Sequence, residues 1–359
     1  MSDFAKKKPS PSLRRRIFIL LFGAVLALLL FGLRTLTAPP GGSVSFSVTE
    51  SDASATLGKH PLVLSSTRCA LYDKDGAPLY SAAVRLQAPA LCAGKNRALV
   101  YDIGGTQCLL LKADGTARTL TTEAPVSFAT MNRRGLSCVV TRPDTCRGLV
   151  TVYSADGDER LLYGSAEDAV LSARVSPNGK RLAVTTLTDT GSRTELVSLR
   201  TGATDAVFTV DSRVALDVLW LNDHRLVMLT ASQALFFSDD GCWLGTFSFN
   251  GQTPQRVAAD ESGFLALALS PASSGINGTL YMLDTKGEVL GSADYTGRLL
   301  SLDVRDRRVL ALDDGGLTLY RSSAEVIGSV SLRGVDTAFL TGRRAALLLG
   351  ASAAEYYCF

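Results

Sequence analysis

Residues 170–208 contain Val170-Leu171-Ser172-Ala173-Arg174-Val175, then Ser176-Pro177-Asn178-Gly179-Lys180, then Arg181-Leu182-Ala183-Val184-Thr185-Thr186. A polar loop leads to Thr194-Glu195-Leu196-Val197-Ser198-Leu199, and the turn Arg200-Thr201-Gly202 leads to Ala206-Val207-Phe208. These are four short runs, alternating or apolar, rich in β-branched residues and parted by Asn-Gly and Thr-Gly. That pattern specifies strands and tight turns. A four-stranded unit of about 40 residues is the size of one β-propeller blade.

The unit recurs. Its best marker is the turn before the last strand: Asp75-Gly76, Asp114-Gly115, Asp156-Gly157, Thr201-Gly202, Asp240-Gly241 and Lys286-Gly287, spaced 39, 42, 45, 39 and 46 residues apart. Glycine supplies the positive φ that such hairpins need. A seventh copy, Arg321-Ser322-Ser323, lacks the glycine. The second strands also align, from Leu62-Val63-Leu64 to an eighth copy at Ala345-Ala346-Leu347-Leu348-Leu349. Such unbroken apolar runs suit strands buried on both faces. The chain ends on a third strand, Ala354-Glu355-Tyr356-Tyr357, with no fourth, while Ser43-Val44-Ser45-Phe46-Ser47-Val48 is a strand with no repeat of its own. The expectation is an all-β fold: a β-propeller of eight four-stranded blades over residues 44–359, closed by the N-terminal strand 43–49. Seven blades is the alternative, because the first copy has a poor innermost strand. Closing the ring leaves only short edges.

Residues 17–33 form an uncharged apolar run, which Leu36 and Ala38 extend. As a helix the run rises roughly 26 Å, at the short end of what spans a bilayer. A transmembrane helix over 17–36 is expected, with a cleaved signal peptide as its rival. Six Lys and Arg residues in the basic tail 1–16 precede it and only Arg34 follows before Lys59. The positive-inside rule then places the tail in the cytoplasm and the C-terminal domain outside the cytoplasmic membrane, as a single-pass protein. The stretch 37–43, with Pro39-Pro40-Gly41-Gly42, is a linker.

The chain carries 37 Lys and Arg against 34 Asp and Glu, net +3. Residues 1–34 hold seven of those cations and one acid, Asp3, so the remainder is close to neutral at −3. No nucleic-acid footprint follows from such a balance.

The unit Ser176-Pro177-Asn178-Gly179-Lys180-Arg181-Leu182-Ala183-Val184 resembles the Ser-Pro-Asp-Gly-Lys-x-Leu-Ala motif of WD40-like and TolB-like propellers. No Trp-Asp dipeptide closes a blade. The layout of basic tail, apolar run, Pro-Gly linker and Tyr-Asp-x-Asp-Gly hairpin resembles clostridial-type bacterial single-pass membrane proteins with a domain of unknown function. The resemblance implies an extracytoplasmic propeller and no activity.

Catalytic motifs are scarce. The two histidines, His60 and His224, fall in turns, and there is no Gly-x-Ser-x-Gly elbow, P-loop or Ser-x-x-Lys. No metal site is expected, and no cofactor: two tryptophans are too few for the docking motifs of quinone-dependent propellers. Of the seven cysteines, Cys138 and Cys146 are the best candidates for a disulfide, on opposite arms of one hairpin. On three innermost strands, Arg174, Asp217 and Asp303 fall at equivalent positions and would line the central channel. They either bind a ligand there or pair with neighbours. The expected function is a non-enzymatic binding or scaffold module for an envelope protein or wall polymer, held to the membrane by the N-terminal helix. The alternative is an envelope hydrolase or lyase using the Asp/Arg set.

Overall fold

The computed structural model describes residues 45–48 and 51–359. The helix expected over 17–36 lies outside these residues. Among the described residues no helix is long and apolar enough to cross a membrane.

The described chain forms 32 strands in eight antiparallel sheets of four. Each sheet is a meander, and each is a blade. The innermost strands are Ala53–Leu57, Pro89–Ala93, Val126–Met131, Ala169–Val175, Asp217–Asn222, Gln252–Asp260, Leu299–Arg305 and Thr337–Leu340, for blades 1 to 8. Each touches the next, and the strand of blade 8 touches that of blade 1, so the ring is closed. Eight blades, not seven, is the count: the weakly apolar run at Ala53–Leu57 does form a strand, paired from Ala53↔Leu64 to Leu57↔His60.

Blade 8 takes three strands from the C-terminal end and its outer strand from Ser45–Ser47, paired Ser45↔Glu355, Phe46↔Ala354 and Ser47↔Ala353. The Phe46 ring lies 5.9 Å from that of Tyr72 in blade 1 and 6.3 Å from that of Tyr356 in blade 8.

The buried apolar residues separate into eight clusters, each filling one gap between adjacent blades. This explains the unbroken apolar second strands. Successive side chains on a strand point to opposite faces, so Leu226 and Met228 enter the gap with blade 4, while Val227 and Leu229 enter the gap with blade 6. A strand between two blades has no solvent face to leave polar.

The Cys138–Cys146 disulfide is not formed; both residues carry free thiols. Cys138 pairs with Val152, three rungs from the strand end where Thr141 meets Leu149, whereas Cys146 sits in the connection beyond that end. At about 3.4 Å per residue the two lie beyond bridging distance.

Candidate functional site

The innermost strands of blades 2 to 6 surround a cavity of about 390 Å³ on the axis of the ring. Its polar lining includes Thr130, Arg133, Arg174, Asp217, Asp260 and Glu261, and its apolar lining includes Met131, Leu219 and Trp220. A second, shallower hollow of about 610 Å³ adjoins it at Glu261 and runs over the turns carrying Arg134, Asn178, Asp223 and His224.

Arg174 and Asp217 meet in this cavity. The guanidinium donates through Nε to Oδ1 at 3.1 Å and through Nη2 to Oδ2 at 2.6 Å. The Ser172 hydroxyl and the Val218 amide also donate to Oδ1, each at 2.8 Å. The arginine is positioned by its own backbone as well: its carbonyl accepts from Trp220 Nε1 at 3.1 Å. Burial works against the Arg174 charge, but the Asp217 carboxylate outweighs it and holds the guanidinium above its ordinary pKa. The two-pronged geometry is the strong form of this ion pair.

Strand register corrects the alignment of the three candidates. Arg174 pairs with Ala183 and Asp303 with Leu310, the same rung of their blades, but the residue of blade 5 on that rung is Leu219, opposite Val227. Asp217 pairs with Leu229, two rungs earlier, level with Ser172 and Ser301. The pattern of apolar residues cannot show this, because the bulges that offset the strands leave no residue signature.

Asp303 is not among the cavity's lining residues. Its Oδ2 accepts the Leu340 amide of blade 8 at 2.6 Å and its Oδ1 accepts the Val304 amide at 2.9 Å. Burial pushes its pKa up to about 6, against the pull of those amides and of Arg305. The structure therefore joins Arg174 to Asp217 and leaves Asp303 apart.

Sequence reasoning missed the far wall. Glu261, in the turn between the first two strands of blade 6, accepts the Arg133 amide of blade 3 at 3.1 Å, a contact across the mouth of the channel. Burial raises the Glu261 pKa, and Asp223 adds to the rise. Asp223 Oδ1 is itself buried without a hydrogen-bond partner. In the sequence Asp260-Glu261-Ser262-Gly263 is only a turn; no local signal says that it reaches a residue 128 positions away.

The Asp217 carboxylate oxygens are engaged by Arg174, the Ser172 hydroxyl and the Val218 amide. The nearest thiols, Cys92 and Cys138, are pushed up to about 12 by burial despite the nearby Arg174 charge, so neither is a thiolate nucleophile at neutral pH.

The fold and its axial cavity define an eight-bladed β-propeller. Residues 42–331 match a family of unknown function, DUF5711, and the chain belongs to that family. No curated protein matches it. Similar solved structures include BamB from Moraxella catarrhalis (TM-score 0.57, 12% identity), the β-propeller domain of Myceliophteria thermophila Cps50 (Swd1) (0.53, 11%) and Saccharomyces cerevisiae Sqt1 (0.61, 9%). Each likeness covers 88% of this chain and 98% of the other. At such identities these likenesses speak to fold alone.

Proposed function

We propose that the protein is a non-enzymatic binding or scaffold module that engages its partner at the mouth of the central channel. The observation that carries this reading is the Arg174–Asp217 pair, held rigid by Ser172, Val218 and Trp220 at the edge of an open cavity. A prearranged polar wall beside Met131, Leu219 and Trp220 combines apolar area with a few fixed polar groups, as binding clefts do. Acid–base chemistry would instead need a carboxyl poised near the working pH and free to meet a substrate; Asp217 is engaged by Arg174, Ser172 and the Val218 amide, Asp303 faces blade 8, and Glu261, whose pKa burial raises, is tied to the Arg133 amide. The apolar run 17–33 and the basic tail before it support a cytoplasmic-membrane anchor with the propeller outside, and hence a partner among envelope proteins or wall polymers.

Site-specific photocrosslinking in the full-length chain, in its own membranes, tests the cavity. A photoreactive residue at Met131 or Leu219 is expected to yield a discrete adduct, and one at the outer-strand residue Leu162 none. The same adduct pattern at all three positions, or no adduct at any, would overturn the reading.

A further inference from the structure

The hairpin turns that join the first and second strands of the blades share one face, and hydrogen bonds link them around the axis. The Gly58 amide donates to the Lys95 carbonyl at 2.6 Å, and the Lys95 amide to the Arg133 carbonyl at 3.0 Å. Arg134 donates to the Asn178 carbonyl at 3.2 Å, and the Arg308 guanidinium to the Arg343 carbonyl. These turns display Lys59, Lys95, Arg134, Arg307, Arg343 and Arg344, all exposed. Among the described residues none of the six forms an ion pair. They follow one another over blades 7, 8, 1, 2 and 3, an arc made continuous by the contact of blade 8 with blade 1.

Composition does not impose this crown, since the chain beyond residue 34 carries more acids than bases. Among the acids of the same face, Asp306 shares the blade 7 turn with Arg307, Asp223 and Glu261 sit on the turns of blades 5 and 6 outside the arc, and on the outer turns Asp156 and Asp239 are taken up by Arg97, Lys112 and Arg181. The basic turns crowd each other. Burial first, then the guanidiniums of Arg343, Arg344 and Arg321, hold Arg308 below its ordinary pKa.

We propose that this basic crown docks a linear, phosphate-rich polyanion. The inference deepens the binding-module reading and rests on it. Arginine forks match phosphate oxygens in geometry and charge, and cations spread along an arc suit a chain of phosphates better than a single one. The crown lacks what other anionic partners need. The exposed large apolar residues lie elsewhere: Leu162, Val207, Trp243, Val289 and Val326 on outer strands, Val214 and Leu216 on the opposite face. The turns therefore offer no aromatic anchor for a protein interface, no stacking platform for bases and no wedge for a bilayer.

The test is a titration of labelled long-chain inorganic polyphosphate with the full-length chain, read by fluorescence anisotropy over a salt series. The wild type is expected to bind, with log K falling linearly in log salt. Arg343→Glu with Arg344→Glu should weaken binding at about 50 mM salt by roughly tenfold or more. Arg213→Glu with Arg333→Glu makes the same charge change on the opposite face and should alter binding by less than about twofold. Both doubles lie on exposed turns, and an unchanged melting temperature verifies their folding. Equal losses in the two doubles would reduce the effect to net charge and overturn the crown. Binding to phosphatidylglycerol vesicles without binding to polyphosphate would overturn it in favour of a membrane surface. Retained crosslinks at Met131 and Leu219 with no polyphosphate binding would overturn the polyanion alone; polyphosphate binding without those crosslinks would overturn the channel-mouth reading alone.

Discussion

Arg174 and Asp303 stand on the same rung of blades 4 and 7, and the ring treats them in opposite ways. Arg174 finds a carboxylate on the neighbouring strand and stays charged; Asp303 finds two amides and no cation in ion-pair range among the described residues. The consequence for Asp303 is a pH dependence. Its pKa rises from the ordinary 3.8 to about 6, so the folded protein keeps a proton that the unfolded chain loses first. Stability from this group is greatest below about pH 4, falls as the pH rises to about 6 and is flat above, by roughly 1–3 kcal/mol in all. Asp303→Asn should remove that slope. Urea denaturation of both proteins from pH 4 to 7 measures it; parallel curves would show that Asp303 does not titrate there. Arg174, Asp217 and Asp303 are conspicuous in the sequence as charges in apolar strands. Which of them meet was not legible, because partner choice depends on how far one blade slides past the next.

The element whose design shows most is the turn between third and outer strands. Its glycine does two things. At Gly76 the backbone has φ +84°, and a Cβ there would lie 2.5 Å from Phe46 Cβ in the closing strand of blade 8. The turn of one blade thus packs flat on the outer strand of the blade before it. In blade 7 the glycine is missing: Ala324 takes φ 63° itself, and the room comes from Gly291 on the outer strand of blade 6, whose added Cβ would meet Ser323 at 2.4 Å. The recurrence of these turns and of the apolar second strands led to eight blades, with seven as the alternative, but the use of glycine for close approach across blades was not readable from it. Gly76→Ala is expected to cost about 1–3 kcal/mol, from left-handed strain together with displacement of Phe46. A chemical-denaturation midpoint equal to that of the wild type would show that the closing strand yields without cost.

At the scale of the whole molecule, charge and topology diverge. A domain near neutrality in sum carries a basic crown on one face, because eight copies of one turn are brought to one rim by the ring. The proposed extracytoplasmic location is open to a direct measurement. Cys242 is exposed, while Cys69, Cys108 and Cys138 are buried. In intact cells a membrane-impermeant maleimide is expected to label Cys242, and Cys242→Ala should abolish most of the labelling. Protection of Cys242 until the cells are lysed would place the propeller inside and sink the proposed location.

The strands, their four-fold grouping and the eight repeats were determined by the sequence alone, because alternation, β-branched content and turn residues act over neighbouring positions and need no distant partner. The axial cavity, the contact of Glu261 with the Arg133 amide, the separation of Asp303 from Arg174 and the basic crown were decided only by the tertiary structure. Each joins residues from different blades, and its geometry is set by the stagger and closure of the ring, which no local stretch encodes.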